Sequence, residues 1–388
     1  MTGGRALVHG AEPEGHSHNP LVRYFKVLGP GLVTGAADDD PSGITTYSVA
    51  GAALGPGILW TALACYPFMA AVQLVCARIG LVTGEGLAAA LRRHYPRPLL
   101  YAACLLLLVA NVFNIAADLG GMGEAAEMLS GLPRLAWIPL FGVAIVLVTV
   151  YATYATFAQW IKWLTAVLFA YVVAAILWRP EWWAVLWGTL VPRLELDGRS
   201  AATLVAILGT TISPYLLFWQ AAHEVEEEKA HGHRTLRQRR GATPHELAGA
   251  ALDVNTGMLF SVVGMYSIML ATASTLHRTG HREIETARQA AEALRPVAGD
   301  AAYLLYALGL IGTGLLAIPV LAGSASYAVA EMFKWPSGLS LTPWNGRRFY
   351  LVLAGAVVVG MAITVLQRSP VHVLFVSALV NGLLAPPL

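Results

Sequence analysis

Charge is scarce in this 388-residue chain: Asp, Glu, Lys and Arg make up 12% of it, about half the share carried by soluble domains. Hydrophobic residues make up 56% and mean hydropathy is +0.60, which excludes an ordinary soluble domain. Cysteine is nearly missing. Cys65, Cys76 and Cys104 all fall inside apolar runs, at spacings that fit neither a zinc site nor a disulfide framework, and read as small buried hydrophobes. Net charge is only +2 and no basic stripe carries interleaved aromatics, so nothing points to nucleic acid. Residues 1–20 are polar and hold Pro, Gly, His9, His16 and His18, unlike a signal peptide. They read as part of a disordered cytoplasmic tail, 1–22, with weak metal binding by the histidines as the alternative.

Long apolar runs take the place of what is missing. Ten candidate membrane spans cover residues 27–54, 58–82, 99–128, 136–151, 157–178, 201–222, 252–276, 301–333, 349–366 and 371–388, making residues 23–388 a polytopic helical membrane domain. With the N-terminus inside, fourteen Lys and Arg fall on cytoplasmic segments against nine outside, so the N-terminus is expected in the cytoplasm. Residues 277–295 are expected to form an amphipathic external helix with Ile284, Ala287, Ala291 and Leu294 on one face. Trp182, Trp183 and Trp187 suit an interfacial belt. Ala385-Pro386-Pro387-Leu388 reads as a helix break or a truncation point.

Asp38-Asp39-Asp40-Pro41-Ser42-Gly43 interrupts the first span. Each carboxylate at mid-membrane costs at least about 2.5–3.5 kcal/mol on insertion scales, so such a cluster belongs where it faces a cation, a proton path or water. Proline removes a backbone donor and glycine loosens the chain, so the helix breaks there. The sixth span carries a second interruption, Gly209-Thr210-Thr211-Ile212-Ser213-Pro214-Tyr215. Breaks in the first and sixth of ten spans indicate two five-helix repeats, about 27–178 and 201–388, and matching breaks in two halves point to a substrate site. Two unrelated proline kinks are the alternative.

At this point the residues resemble the Nramp family of divalent-metal transporters, from Gly29-Pro30-Gly31 to the tenth span. The family's Asp-Pro-Gly-Asn corresponds to Asp40-Pro41-Ser42-Gly43. Gln73, Ala77-Arg78-Ile79-Gly80 and Thr83-Gly84 match its second helix, Ala117-Asp118-Leu119 its third, and Leu190-Val191-Pro192 the approach to its sixth. The sixth-helix Met-Pro-His corresponds to Ser213-Pro214-Tyr215. The resemblance implies an all-α leucine-transporter-like fold with two inverted five-helix repeats and broken helices 1 and 6. It implies a metal site of Asp40, the freed carbonyls near Ala37 and Thr210, and the positions of Gly43 and Ser213.

The departures sharpen that expectation. The family's Asn is Gly43 here and its Met is Ser213. A thioether favours softer transition metals, whereas oxygen-only surroundings suit Mg²⁺, Ca²⁺ and Mn²⁺. Small residues leave room for a cation that keeps water, as Mg²⁺ does. These features are similar to the Nramp-related magnesium transporters. The family's second third-helix acid is Gly121, and its sixth-helix His is Tyr215, whose phenol, near pKa 10, does not cycle at neutral pH. Both changes weaken a proton route, although Asp118, Glu124 and His223 remain.

Asp38 and Asp39 either join the pathway or bond locally to the broken backbone. Ser213 and Thr210 either contact the ion or bond back to their own helix. Asn111, Asn114 and Asp118 share a helical face, which reads as a wetted passage or as interhelical hydrogen bonding. Tyr215 and His223 are candidates for the pathway, and the acids beside His223 either gather cations or form a solvated helix end. The expected function is uptake of Mg²⁺, with Mn²⁺ second, across an inner membrane by alternating access, without protons, enzymatic activity or a resident cofactor. The alternative is proton-coupled Mn²⁺ or Fe²⁺ symport. Two other classes are a metal sensor, in which a transporter-like domain binds metal without moving it and against which stands the lack of an attached signalling domain, and an intramembrane aspartyl protease pairing Asp40 with Asp118 or Asp253, which leaves the matched breaks unexplained.

Overall fold

The computed structural model describes residues 29–151, 173, 180–193, 197–295, 299–366 and 370–386. The expected tail and the fifth expected span, 157–178, lie outside the described residues, except for residue 173. All regular elements among the described residues are helical. The first broken helix is α1 (Pro30–Asp38) followed by α2 (Pro41–Leu54), and a 3-10 turn leads to α3 (Trp60–Thr83). Then come α4 (Leu87–His94), α5 (Arg97–Ser130), α6 (Arg134–Tyr151) and the short α7 (Trp182–Leu190). The second broken helix is α8 (Gly198–Thr211) with α9 (Pro214–Ala230). It is followed by α10 (Pro244–Thr272), α11 (Ala287–Ala291), α12 (Ala302–Phe333), α13 (Arg347–Leu366) and α14 (Pro370–Leu384).

Local sequence explains the boundaries. Pro244 opens α10 behind a Thr243–Glu246 capping box, which pairs two otherwise orphaned amide donors. Gly131, at φ 73°, closes α5 in the left-handed region that a glycine adopts without strain. Asp197 caps α8, accepting the Ser200 amide at 2.9 Å. Hydrogen bonds from the Ser200 side chain and backbone hold this exposed carboxyl below the usual carboxylate range.

Among the described residues seven helices, counting α8–α9 as one, are long and apolar enough to cross a membrane. Leu105, Val109, Leu140, Leu147, Trp182 and Trp183 point outward, a pattern that suits lipid. The interior holds small residues. Gly31 and Gly35 of α1 meet Gly257 of α10 backbone to backbone; a Cβ on Gly31 would lie 2.6 Å from the Val254 Cα. Such small-residue crossings let membrane helices approach closely.

Helix ends sort onto two faces. Gly29 meets Asp253, Arg92 meets Glu331, and Lys229 meets Ser337 on one face. On the opposite face His277 bonds Ala52 and Arg199 bonds Arg282. The two broken helices therefore run antiparallel, as inverted repeats require. The expected external helix at 277–295 is corrected. A π turn at Ala273–His277 ends α10, residues 281–285 run without regular structure, and only Ala287–Ala291 and a 3-10 turn at Glu292–Leu294 are helical. Ile284, Ala287, Ala291 and Leu294 are nonetheless all buried.

Candidate metal site

The two breaks have the same backbone design. Asp39 (φ −85°, ψ 51°) and the extended Asp40 (φ −70°, ψ 172°) separate α1 from Pro41. Ile212 (φ −118°, ψ 51°) and the extended Ser213 (φ −68°, ψ 131°) separate α8 from Pro214. In each case proline pushes the preceding residue out of the helical region and occupies the first helical position, where no donor is missed.

Side chains then distinguish them. Asp40 Oδ1 accepts the Gly43 amide at 2.6 Å and caps α2. Ser213 does not cap α9; its hydroxyl donates to the carbonyls of Gly209 (2.8 Å) and Thr210 (2.9 Å). Tyr215 links the breaks by donating its hydroxyl to the Ala37 carbonyl at 2.9 Å. Gly43 stands where the two breaks pack closely. A Cβ there would meet the Asp38 carbonyl oxygen at 3.1 Å, Thr210 Oγ1 at 3.2 Å and Asp40 Oδ1 at 3.4 Å. Ala37, Asp40, Gly43, Thr210, Ser213 and Tyr215 thus come together, all buried.

Asp118 of α5 is also buried, beside the Ser42 amide of α2 and within electrostatic reach of Asp40. The two asparagines on its face join helices: Asn111 donates to Leu321 O (2.9 Å) and Ser324 Oγ (2.7 Å) of α12, and Asn114 accepts from Ser377 of α14. Asp38 and Asp39 face α10, where Ser261 donates to Asp38 at 2.5 Å. Among the described residues no three His, Cys, Asp or Glu side chains converge as metal ligands, so the three consecutive aspartates do not form one cage. His223 lies two turns beyond Tyr215, stacked on Trp219 at 5.3 Å.

One end of the site is closed by contacts not anticipated from sequence. Asp253 of α10 accepts the amides of Gly29 (2.9 Å), Gly31 (2.6 Å) and Leu32 (3.2 Å), capping α1 from another helix. Thr34 donates to Gln220 at 2.5 Å, and Gln220 donates to Glu224 at 2.9 Å. A signal existed for Asp253, the only acid in the seventh expected span, because an intramembrane acid demands a buried partner. The partner amides, more than 220 residues away, carried none. On the opposite face a cavity of about 830 Å³ is lined in part by Glu124, Glu127, Glu285 and His372.

Antiparallel broken helices meeting at a buried acidic break define a multi-pass membrane transporter of the leucine-transporter-like class. A manganese transporter from Eremococcus coleocola superposes with a TM-score of 0.70 at 18% identity, over 96% of this chain and 78% of that one. The nucleobase-cation-symport-1 family transporter Mhp1 gives 0.58 at 16%, over 92% and 77%. The family described as natural resistance-associated macrophage protein-like, Nramp, matches residues 31–388, and the chain belongs to it. Proteins named divalent metal cation transporter MntH are 28% identical over 350 residues in Yersinia pestis (87% of this chain, 81% of that protein). The MntH of Brucella suis is 27% identical over 360 residues (90% and 76%).

Proposed function

We propose that this protein carries divalent metal ions across the plasma membrane, with Mg²⁺ as principal substrate, Mn²⁺ as second, and no coupled proton. The relatives' names support the coarse reading, divalent metal transport. The observation that carries the finer one is the all-oxygen donor set at the breaks: the Asp40 carboxylate, the Ala37 and Thr210 carbonyls and the Ser213 hydroxyl. Oxygen donors with a single carboxylate suit a hard cation that keeps several waters, as Mg²⁺ does. Ser213 supplies a hydroxyl where a soft-metal site would offer sulfur.

Asp40 is the charged ligand. The carbonyls of Ala37 and Thr210 each hold a hydroxyl donor in this structure and retain a second lone pair for the ion or its water. Asp118 adds a second negative charge beside the cage. Alternating access would release α1 by parting the Asp253 and Thr34–Gln220 bonds, with the N-terminus cytoplasmic. At 100 mV the membrane potential supplies about 4.6 kcal/mol per divalent ion, enough to drive uptake unaided.

Proton-coupled Mn²⁺ symport is the second reading, favoured by one observation: Asp118 is a fully buried acid within electrostatic reach of Asp40. Proteoliposomes with internal pH followed in parallel separate the two. Mg²⁺ entry without acidification, abolished by Asp40→Ala, is expected; Mn²⁺ entry with acidification and no Mg²⁺ entry would establish the second reading.

A further inference from the structure

Behind the first break lies a group of acids and hydroxyls that the Asp40 route does not use. Asp38 and Asp39 are both 0% exposed, and three of their four carboxylate oxygens have no hydrogen-bond partner. The fourth, Asp38 Oδ2, accepts the Ser261 hydroxyl at 2.5 Å. Asp39 rests on α10 one turn further along, where a Cβ on Gly264 would lie 2.6 Å from Asp39 Oδ2. An independent observation comes from α2. The Tyr47 phenol is 0% exposed, its hydroxyl has no partner, and it stands within electrostatic reach of both carboxylates.

Nothing basic offsets this charge: no Lys, Arg or His is among the groups acting on either acid. The C-terminal end of α1 adds the negative pole of its helix dipole at the same point. Buried carboxylates persist where they are paired or coordinate a metal. The donors are all oxygen, which selects a hard cation, and two carboxylates match a divalent charge. Asp40 is occupied elsewhere, on the Gly43 amide.

We propose that Asp38, Asp39, Ser261 and Tyr47 form a second site for a hard divalent cation, bridging α1, α2 and α10. It is distinct from the Asp40 site and shares no side chain with it. A cation there cross-links the end of α1 to α10 beside the moving break.

The test counts Mn²⁺ bound to the full chain in detergent, stripped of metal beforehand, from the electron paramagnetic resonance of the free ion. Parent, Asp39→Asn, Asp40→Asn and Ser261→Ala proteins are compared, each first shown to be monodisperse. Two ions are expected in the parent and one in either aspartate variant. Ser261→Ala should keep both with one weakened about 10- to 100-fold, the usual loss when a group orienting a metal ligand is removed. Tyr47→Phe, which removes only a hydroxyl, should weaken the same ion and replaces Asp39→Asn if that variant does not fold. One ion in the parent, lost in Asp40→Asn but kept in Asp39→Asn with Ser261→Ala unchanged, overturns the second site and leaves the transport reading standing. No bound ion in the parent overturns both.

Discussion

At the first break the residue before proline is an aspartate locked onto its own helix through the Gly43 amide; at the second it is a serine whose hydroxyl folds back onto Gly209 and Thr210. The backbone angles at the two breaks are similar, with ψ 51° at both Asp39 and Ile212. The first break therefore contributes an acid, with no side chain at Gly43 beside it, while the second contributes small neutral oxygens. A cation that keeps its water needs both, and neither break alone supplies them.

The largest effect follows from removing the charge. Asp40→Ala should abolish Mg²⁺ flux in proteoliposomes, whereas Ser213→Ala should retain measurable flux; equal loss in both would erase the asymmetry. Next comes the missing side chain at Gly43. Gly43→Val presses on the Asp38 carbonyl, Thr210 Oγ1 and Asp40 Oδ1 and should cut Mg²⁺ uptake more than about tenfold, the scale of one misplaced ligand shell, with the gel-filtration profile unchanged. Third, Ser213→Met places a thioether at the second break and should shift competition toward Mn²⁺ and Cd²⁺ over Mg²⁺. An unchanged selectivity order would show that the second break does not touch the ion.

Smaller effects probe what holds the first break in place. Asp253→Ala removes the acceptor of three amides and should cost about 1.5–3 kcal/mol, the range for a hydrogen bond to a charged group. Thermal melting in detergent reads the stability, and faster labelling of a cysteine placed at Thr34 reads release of α1. Smallest is Asp197→Ala at the head of α8. Because folding lowers the Asp197 pKa, its contribution is present above the unfolded carboxylate pKa and disappears as pH falls through the folded one. The variant should melt earlier at pH 7 and match the parent in strong acid.

Both breaks were legible because their causes are local. An acid, a proline and a glycine inside an apolar run interrupt a helix whatever surrounds it. The face shared by Asn111, Asn114 and Asp118 was legible for the same reason, helical periodicity. Which reading of that face applies was not: both asparagines bond to other helices, while Asp118 stands beside the first break. Residues 277–295 carried a correct buried face and a helix that is too long, because packing of Ile284 and Leu294 against the bundle does not require continuous helix between them.

By itself the sequence determined that this chain crosses a membrane many times, where two of its helices break, and that Asp40 stands at one break. Apolar length, proline and charge act within a few residues and need no partner to take effect. Only the tertiary structure decided that Asp253 caps α1, that Tyr215 spans the two breaks, and that Asp38 accepts a hydrogen bond from Ser261 of α10. Those contacts join residues far apart in the chain, and buried polar groups take whichever partner the packing of the helices brings within reach.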